Sequence, residues 1–374
     1  MGSRGYQPID TPLLEETELF VRKSGGDLAG RLYNFTDPGG TSVSLRPEFT
    51  SSVIRHYIDN EESLSLPLRW QYSGPVFRYS PAEQGSYRQF TQSGAELVGA
   101  TSEDADIEII SLAVSGLHEI GLDGFRLRLG HLGVLHSLLD EFVSKEGKSD
   151  VAGLMERAGE VGLLSGSVDL GIGLETALES MSTEAAEEFV LGVLKESMPE
   201  PVGRRTTDQI VARLLSKVRQ ANCPDAFERA LNFVRTLSGL CGEPQATLQA
   251  ARAAADESGV DAAPLDEIGA LLERAHSIDI GCGISESRVS LDMGMARGIS
   301  YYTGVIFELV AGDDGTAALG GGGRYDGLVQ ALGGSEGVPA MGFAYNVNEL
   351  LDALLDSGIS SIRAQGNGVQ TNGV

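Results

Sequence analysis

Two hydrophobic patterns divide the chain of 374 residues. Over residues 1–132 and again over 277–358, apolar and polar positions alternate in several segments, which is typical of half-buried strands. Over residues 133–276 this alternation gives way to helical spacing, broken by glycine and proline. We therefore predict a core domain formed by the first two ranges and an all-helical insertion between them. The end of the chain, 359–374, has few apolar residues and is predicted to be disordered.

Within the core domain the pattern predicts individual elements. A short helix is predicted over 13–23, with Leu13 and Leu14 among its apolar residues. A hairpin is predicted within 32–50, because the alternation continues on both sides of the turn residues 37–40. Hairpin-type turns favour an α+β fold, in which helices flank a mostly antiparallel sheet. The other predicted elements are helices over 49–60, 103–120 and 346–356, and strands within 66–80, 87–99, 125–133, 287–296, 300–310 and 317–324.

Charge and composition argue against several classes of function. The formal net charge is −25 and only five residues are lysine, so the surface repels phosphate backbones and RNA binding is disfavoured. No apolar run is long enough to cross a membrane and no secretory signal is expected. Cys223, Cys241 and Cys282 are scattered, which predicts reduced core thiols in a cytoplasmic protein. The cysteines and histidines lack metal-ligand spacing, so no metal is expected.

Polar side chains in two regions predict the wall of a pocket. The two-residue repeat of a strand places Gln92, Gly94 and Glu96 on one face. An amide and a carboxylate that point into a sheet need a ligand or a partner. Later in the chain, the segments 296–310 and 320–334 combine an arginine, neighbouring tyrosines and a glycine run. Such a run lets a backbone approach a ligand closely.

Structural roles remain open for several of these residues. Arg46 and Glu48 could form an internal salt bridge instead of meeting a ligand. Strand alternation would turn Tyr301 away from Tyr302 and into core packing. Asp326 is expected to brace the turn in which it lies rather than to contact a ligand.

With these motifs the chain resembles the catalytic core of class II aminoacyl-tRNA synthetases, specifically the histidyl branch. The resemblance covers roughly residues 5–130 and 285–356 and is specific, because several independent motifs occur in the family's order. It implies the class II fold, an antiparallel sheet flanked by helices. The matching segments are GYQPIDTPLLEETELF, SVSLRPEFT, GPVFRYSPAEQGSYRQFTQSGAELVG, RGISYYTG, GGGRYDGL and VPAMGFAYNVNELL.

The resemblance implies a histidine-binding site. In that family carboxylates, an amide and tyrosines hold the histidine ligand, which suits an imidazole with a free amino group because that ligand needs acceptors as well as donors. Arg297 stands where the family contacts the carboxylate of the amino acid. The implied histidine-binding residues are Glu48, Gln92, Glu96, Arg297, Tyr302 and Tyr325.

The segments that would bind ATP depart from the family pattern. Ser80 replaces the glutamate of the family's Arg-x-Glu, and Glu349 stands where the third motif has the arginine that clamps the triphosphate. Arg78 and Arg88 remain as a residual nucleotide site. Because adenylate formation needs cationic groups around the transferring phosphates, the resemblance implies that this reaction is impaired.

A paralogous group fits a chain with an implied histidine site and an impaired ATP site. This group is the regulatory subunit of ATP phosphoribosyltransferase, which is similar to histidyl-tRNA synthetase but lacks its anticodon-binding domain. The leading interpretation is a non-catalytic regulatory subunit in histidine biosynthesis. It would bind L-histidine without a cofactor and pair with the short-form catalytic subunit, as a homodimer within a hetero-oligomer. The alternative is a divergent or truncated histidyl-tRNA synthetase that activates histidine with ATP. A third interpretation is a class II-like ligase that acts on another carrier.

Overall fold

The computed structural model divides the chain into two compact units. The first consists of Met1–Leu129, Ala270–Ser290 and Ile299–Val374, and the second of Gly130–Gly269 and Leu291–Gly298. Arg297, the helices predicted within 139–232 and the tail predicted over 359–374 lie outside the described residues. The structure describes residues 1–22, 28, 30–79, 88–101, 104–134, 137–138, 233, 235–282 (the backbone alone from 275), 288–295, 301–312 and 317–357.

A mixed sheet forms the framework of the first unit. The prediction of an α+β fold on a mostly antiparallel sheet flanked by helices is confirmed. Antiparallel pairs join five neighbouring strands, Leu68–Phe77, Gln89–Val98, Ala340–Asn346, Ala317–Arg324 and Val305–Ala311, and Gln7–Pro8 pairs in parallel with Leu68–Phe77. The strands lie in the order β1 (Gln7–Pro8), β5 (Leu68–Phe77), β6 (Gln89–Val98), β12 (Ala340–Asn346), β11 (Ala317–Arg324), β10 (Val305–Ala311) and β7 (Phe125–His131).

A second, three-stranded sheet contains the predicted hairpin. Its order is β2 (Leu14–Glu16), β4 (Ser42–Leu45) and β3 (Asn34–Thr36), and both pairs are antiparallel. Gly40 closes the hairpin with a φ of 87°, a conformation that favours glycine.

The helix predicted over 13–23 is wrong in its first half. Leu14 pairs with Leu45 of β4, so the chain is extended there, and α1 spans only Thr17–Val21. Leu13 and Leu14 are exposed rather than packed in the core. The hydrogen bonds that β4 offers outweigh the local helical pattern, because a helix as short as the predicted one has little stability of its own.

Helices cover the large sheet. α2 (Thr50–Asn60) buries Val53, Ile54 and Tyr57, as its pattern predicts. α3 (Asp104–Glu119) packs on β12, where the hydroxyl of Tyr345 donates a hydrogen bond to the carbonyl oxygen of Ala113. The first unit also contains the short helix α6 (Leu328–Ala331) and the last described helix, α7 (Val347–Asp356).

In the second unit, β8 (Cys241–Gly242) pairs in antiparallel fashion with β9 (Val289–Asp292) through Asp292 and Leu291. Helix α4 (Pro244–Glu257) begins with Glu243, whose carboxylate accepts hydrogen bonds from the first turn. Helix α5 (Leu265–Cys282) starts in the second unit and ends in the first. Cys241 is exposed, so its prediction as a core thiol is wrong: it lies in a strand of only two residues. Among the described helices, none is both long and apolar enough to cross a membrane.

Candidate ligand-binding site

Glycines leave room for large side chains above the centre of the sheet. Gly94 of β6 lies opposite Tyr72 of β5, and a Cβ at Gly94 would come within 2.7 Å of the tyrosine oxygen. A Cβ at Gly323 of β11 would come within 2.8 Å of the ring of Tyr302. Real Cβ atoms do not approach other atoms this closely, so only glycine fits here. The glycine run 320–323 therefore allows neighbouring strands and side chains to pack closely against β11. The sequence had suggested that this run lets the backbone approach a ligand.

A buried carboxylate stands at the centre of this face. Glu96 is fully buried on β6 and accepts hydrogen bonds from three hydroxyl groups. Thr50 Oγ1 lies 2.7 Å and the Tyr72 hydroxyl 2.9 Å from Glu96 Oε1, while the hydroxyl of Tyr325 donates to Oε2. All three donors belong to different elements, so the carboxylate joins α2, β5 and the end of β11.

The charge state of Glu96 results from two opposing effects. Burial raises the pKa of Glu96 to about 7, and the nearby charge of Glu48 adds to this rise. The three hydroxyl donors oppose it by stabilising the carboxylate. Burial raises the pKa values of Tyr72 and Tyr325 well above the usual range. The negative charge of Glu96 raises them further. Both hydroxyls therefore keep their protons and act as donors.

Glu48 supplies a second buried carboxylate. It lies just before α2 and accepts hydrogen bonds from the backbone N–H of Ser51 at 3.1 and 3.2 Å. Burial raises the pKa of Glu48, and the bonds to Ser51 and the charge of Arg78 oppose this rise. A carboxylate is favoured at a helix N-terminus, where the first N–H groups lack partners within the helix.

The salt bridge between Arg46 and Glu48 that sequence analysis left open does not form. Arg46 instead donates hydrogen bonds to the carbonyl oxygens of Thr11 at 2.7 Å and Pro75 at 3.0 Å. Its guanidinium carbon lies 3.8 Å from the ring centroid of Phe49. Glu48 is therefore held by the start of α2, and Arg46 binds backbone oxygens and an aromatic face.

Gln92 has an unused acceptor. Its side chain is buried on β6, and Oε1 has no hydrogen-bond partner among the described residues. Buried amide oxygens are seldom left without a donor in folded proteins. The sequence placed Gln92 and Glu96 on one face, and the register agrees, since Gln92 pairs with Asn346 and Glu96 with Gly342 along the same neighbouring strand. A ligand N–H would satisfy this oxygen.

Three tyrosines form one side of the site, which we call the tyrosine wall: Tyr301, Tyr302 and Tyr325. Their ring centroids lie 5.0 Å (Tyr301–Tyr302), 5.5 Å (Tyr301–Tyr325) and 6.4 Å (Tyr302–Tyr325) apart. The expectation that Tyr301 turns away from Tyr302 is wrong. Both precede β10, which begins at Val305, so strand alternation does not govern them. Burial, followed by the charge of Glu48, raises the pKa of Tyr301 well above its usual range.

Backbone contacts hold the tyrosine wall together. Thr303 N donates to the carbonyl oxygen of Arg324 at 2.8 Å, and Asp326 N donates to Thr303 Oγ1 at 3.1 Å. The carboxylate of Asp326 accepts a hydrogen bond from the backbone N–H of Ala340 at 3.1 Å, which confirms its role in bracing the turn. Arg324 forms an ion pair of 2.7 Å with Asp106 of α3.

The residues implied for the nucleotide contact backbone and aromatic groups. Arg78 Nε donates to the carbonyl oxygen of Pro47 at 2.9 Å, and its guanidinium lies 5.3 Å from the ring of Phe90. Arg88 lies 5.3 Å from the ring of Tyr79. Glu349 lies in the first turn of α7, where its backbone N–H is capped by Asn346. This position favours a negative charge on local grounds, because the N-terminal end of a helix is electropositive.

The structure adds two residues that the sequence did not single out: Thr50 and Tyr72. Thr50 follows Glu48 by two positions, so its closeness to that residue was readable from the sequence. The place of Tyr72 depends on the register between β5 and β6, which alternation alone does not fix. No group of three or more His, Cys, Asp or Glu that could hold a metal ion occurs in the part of the chain that the structure describes.

Comparisons with known proteins find relatives over most of the chain. The histidine–tRNA ligase of Thermococcus kodakarensis is 33% identical over 351 residues, which cover 93% of this chain and 67% of that protein. The corresponding protein of Methanocaldococcus jannaschii is 31% identical over 348 residues, 93% of this chain and 67% of its own length.

Solved structures give the same fold. An ATP phosphoribosyltransferase regulatory subunit/histidyl-tRNA synthetase from Bacillus halodurans superposes with a TM-score of 0.64 at 25% identity, over 94% of this chain and 76% of that one. A histidine–tRNA ligase subunit from Alicyclobacillus acidocaldarius has a TM-score of 0.59 at 23% identity, over 96% of this chain and 90% of that one. Residues 1–222 and 204–350 match the family described as histidyl-tRNA synthetase. The chain therefore belongs to the histidyl-tRNA synthetase family.

Proposed function

We propose that this protein binds free L-histidine around Glu96 and acts as a non-catalytic regulatory subunit of an ATP phosphoribosyltransferase. The observation that carries the proposal is the contrast between two regions. The site around Glu96 is dense, buried and rich in acceptors. The position of the family's triphosphate-binding arginine holds Glu349, whose charge has the opposite sign.

The chemistry of the site suits histidine. The ligand has a positively charged amino group and an imidazole N–H, both of which need acceptors. Glu48 and Glu96 are two buried carboxylates, and Gln92 has an unpartnered amide oxygen among the described residues. The tyrosine wall offers aromatic surface for a planar ring. The sequence resemblance adds Arg297 for the ligand carboxylate.

Regulation would follow from differential affinity. A ligand shifts a partner enzyme only if it binds two conformations of the complex with different affinity. We propose the short-form catalytic subunit as that partner, with this protein present as a homodimer within the hetero-oligomer. The solved relative from Bacillus halodurans, whose description names both a regulatory subunit and a synthetase, supports this choice.

Calorimetric titration with L-histidine at pH 8, together with ATP–pyrophosphate exchange, tests the proposal. We expect histidine binding, at least about tenfold weaker in Glu96→Gln because a charge-assisted hydrogen bond contributes about 1.5–3 kcal/mol. Glu108→Gln is the matched control, since Glu108 also accepts a tyrosine hydroxyl, that of Tyr6 at 2.9 Å, but lies outside the site. Absence of histidine binding in the unaltered protein would overturn the proposal.

A second candidate function is that of a histidine–tRNA ligase. It is favoured by the curated relatives described above, which are histidine–tRNA ligases at 31–33% identity. Histidine-dependent exchange of pyrophosphate into ATP by the unaltered protein would establish this function in place of the regulatory one. The regulatory proposal expects histidine binding without exchange.

A further inference from the structure

We propose that Tyr72 is a positioning residue of this site, whose hydroxyl, held by ring stacking on Phe49, fixes the carboxylate of Glu96 for the ligand. This inference rests on the proposed function, because it gives Tyr72 a role in binding a histidine-like ligand that has an N–H donor. Tyr72 itself needs no contact with the ligand. It acts through Glu96.

The first support is the geometry of the hydrogen bonds. Glu96 Oε1 accepts from Tyr72 at 2.9 Å and from Thr50 at 2.7 Å, while Oε2 accepts from Tyr325. Two donors on one oxygen restrict the rotation of the carboxylate. The hydroxyls of Tyr72 and Thr50 reach Oε1 from β5 and from the start of α2, so they hold it from two elements.

The second support is a stack of planar groups that holds the ring of Tyr72. Its centroid lies 4.3 Å from that of Phe49 and the two planes differ by only 9°. The guanidinium of Arg46 lies 3.8 Å from the centroid of Phe49 and is itself fixed by the carbonyl oxygens of Thr11 and Pro75. The orientation of the tyrosine is therefore set outside the pocket and transmitted to Glu96 through one hydroxyl.

The third support is the space that the sheet leaves for this ring. Gly94 lies directly opposite Tyr72, and a Cβ there would come within 2.7 Å of the tyrosine oxygen and 2.8 Å of the neighbouring ring carbon. The hydroxyl can therefore pass over β6 and reach Glu96, two residues further along the same strand. An ordinary side chain at position 94 would block this path.

The groups that face Glu96 determine how the effect is measured. Among the described residues, the charged neighbour is Glu48, and the hydroxyl neighbours are Tyr72, Thr50, Tyr325, Tyr301 and the more distant Tyr6. Gly342, opposite Glu96 on β12, carries no charge. Tyr72→Phe removes one stabilising donor from the carboxylate form of Glu96, so the pKa of Glu96 rises above its value of about 7.

The experiment is a calorimetric titration of the full chain with L-histidine between pH 6 and pH 9. Histidine titrates too, but its own protonation is the same for every variant and cancels in the comparison. We expect Tyr72→Phe to bind about fivefold more weakly at pH 7 and less than about threefold more weakly at pH 9, since one lost donor moves the pKa by about one unit. The midpoint of the pH profile therefore moves upward.

Tyr345→Phe is the matched control. It removes a buried tyrosine hydroxyl from β12, but this hydroxyl donates to the carbonyl oxygen of Ala113 and not to Glu96. We expect its pH midpoint to equal that of the unaltered protein. As a second test, Phe49→Leu removes the stack and keeps the hydroxyl, and we expect a smaller upward movement of the midpoint.

The outcomes separate this inference from the proposed function. If the unaltered protein binds histidine and Tyr72→Phe keeps the same midpoint, or loses affinity equally at every pH, the assignment of Tyr72 is overturned and the function stands. If the unaltered protein binds no histidine, the proposed function is overturned, and the assignment falls with it.

Discussion

The carboxylate of Glu96 occupies the space that a side chain at Gly342 would fill. The two residues lie directly opposite each other in the antiparallel pair of β6 and β12, and a Cβ at position 342 would overlap the carboxyl group. A buried acid in the middle of a sheet thus depends on a glycine in the neighbouring strand. The glycine-rich composition of these strands follows from the volume of the side chains above them.

Gly342→Ala tests this relationship. We expect loss of about 1–3 kcal/mol of unfolding free energy from overpacking, together with weakened histidine binding, because the carboxylate of Glu96 must move. Urea unfolding and calorimetric titration measure the two effects. Gly124→Ala is the control, since a Cβ at that exposed glycine meets no atom within 4 Å. Equal stability of both variants would contradict the expected overlap.

Stability depends on pH through Glu96. Its pKa is about 7 in the folded protein and near the ordinary value of 4.5 in the unfolded chain. The folded state therefore binds more protons between these values, and the contribution is fully present below pH 4.5 and lost as the pH rises through 7. We expect the unfolding free energy of the unaltered protein, relative to Glu96→Gln, to fall by about 3 kcal/mol between pH 4.5 and 8.

Urea unfolding of both proteins across this range measures the difference. Groups other than Glu96 titrate in both proteins, so their contributions largely cancel. A difference that stays constant with pH would contradict the raised pKa of Glu96.

The ion pair of Arg324 and Asp106 is expected to stabilise the tyrosine wall. The two side chains are 14% and 12% exposed, and burial raises the pKa of Asp106 while Arg324 opposes the rise. Arg324→Met would leave Asp106 without this partner, and we expect a loss of about 3–5 kcal/mol in urea unfolding at pH 8. The double variant with Asp106→Leu should recover most of this loss, since neither charge of this pair then remains buried.

The control for this pair lies on α2. Arg55 and Asp59 form an exposed pair at 3.1 Å, so Arg55→Met should cost less than about 1 kcal/mol. If Arg324→Met were as mild as this control, the buried pair would have no special importance.

Glu349 is expected to be replaceable without loss of histidine binding. It lies in the first turn of α7, so Glu349→Arg should lower stability by about 0.3–1 kcal/mol through the helix dipole. The histidine affinity should stay within twofold, which calorimetric titration measures. A large change in affinity would place this residue in the amino-acid site.

Local patterns predicted the elements around the site more completely than the site itself. Alternation located β5 and β6, and helical spacing located α2 with Val53, Ile54 and Tyr57 buried. The same reasoning failed at Leu14, where pairing with β4 makes the chain extended. It failed again at Tyr301, which precedes its strand and so escapes the two-residue repeat.

The sequence did not predict those parts of the site whose position depends on residues far away along the chain. Gln92 and Glu96 share a strand, so their common face was predictable. Tyr72 is opposed to Gly94 only because of the register between two strands, and the loop between them gives no simple rule for that register. Its stacking on Phe49 depends on the packing of α2 against the sheet.

The position of β6 affects how the protein can be synthesised. On one side it pairs with β5, which precedes it along the chain, but on the other it pairs with β12, near the far end of the described residues. While the ribosome is still translating the middle of the sequence, the edge of β6 has no native neighbour, and Tyr325 has not been made. An unpaired strand edge can pair with other chains, so the long separation between β6 and β12 in the sequence favours slow formation of this sheet and exposes β6 to aggregation until residue 346 has been made.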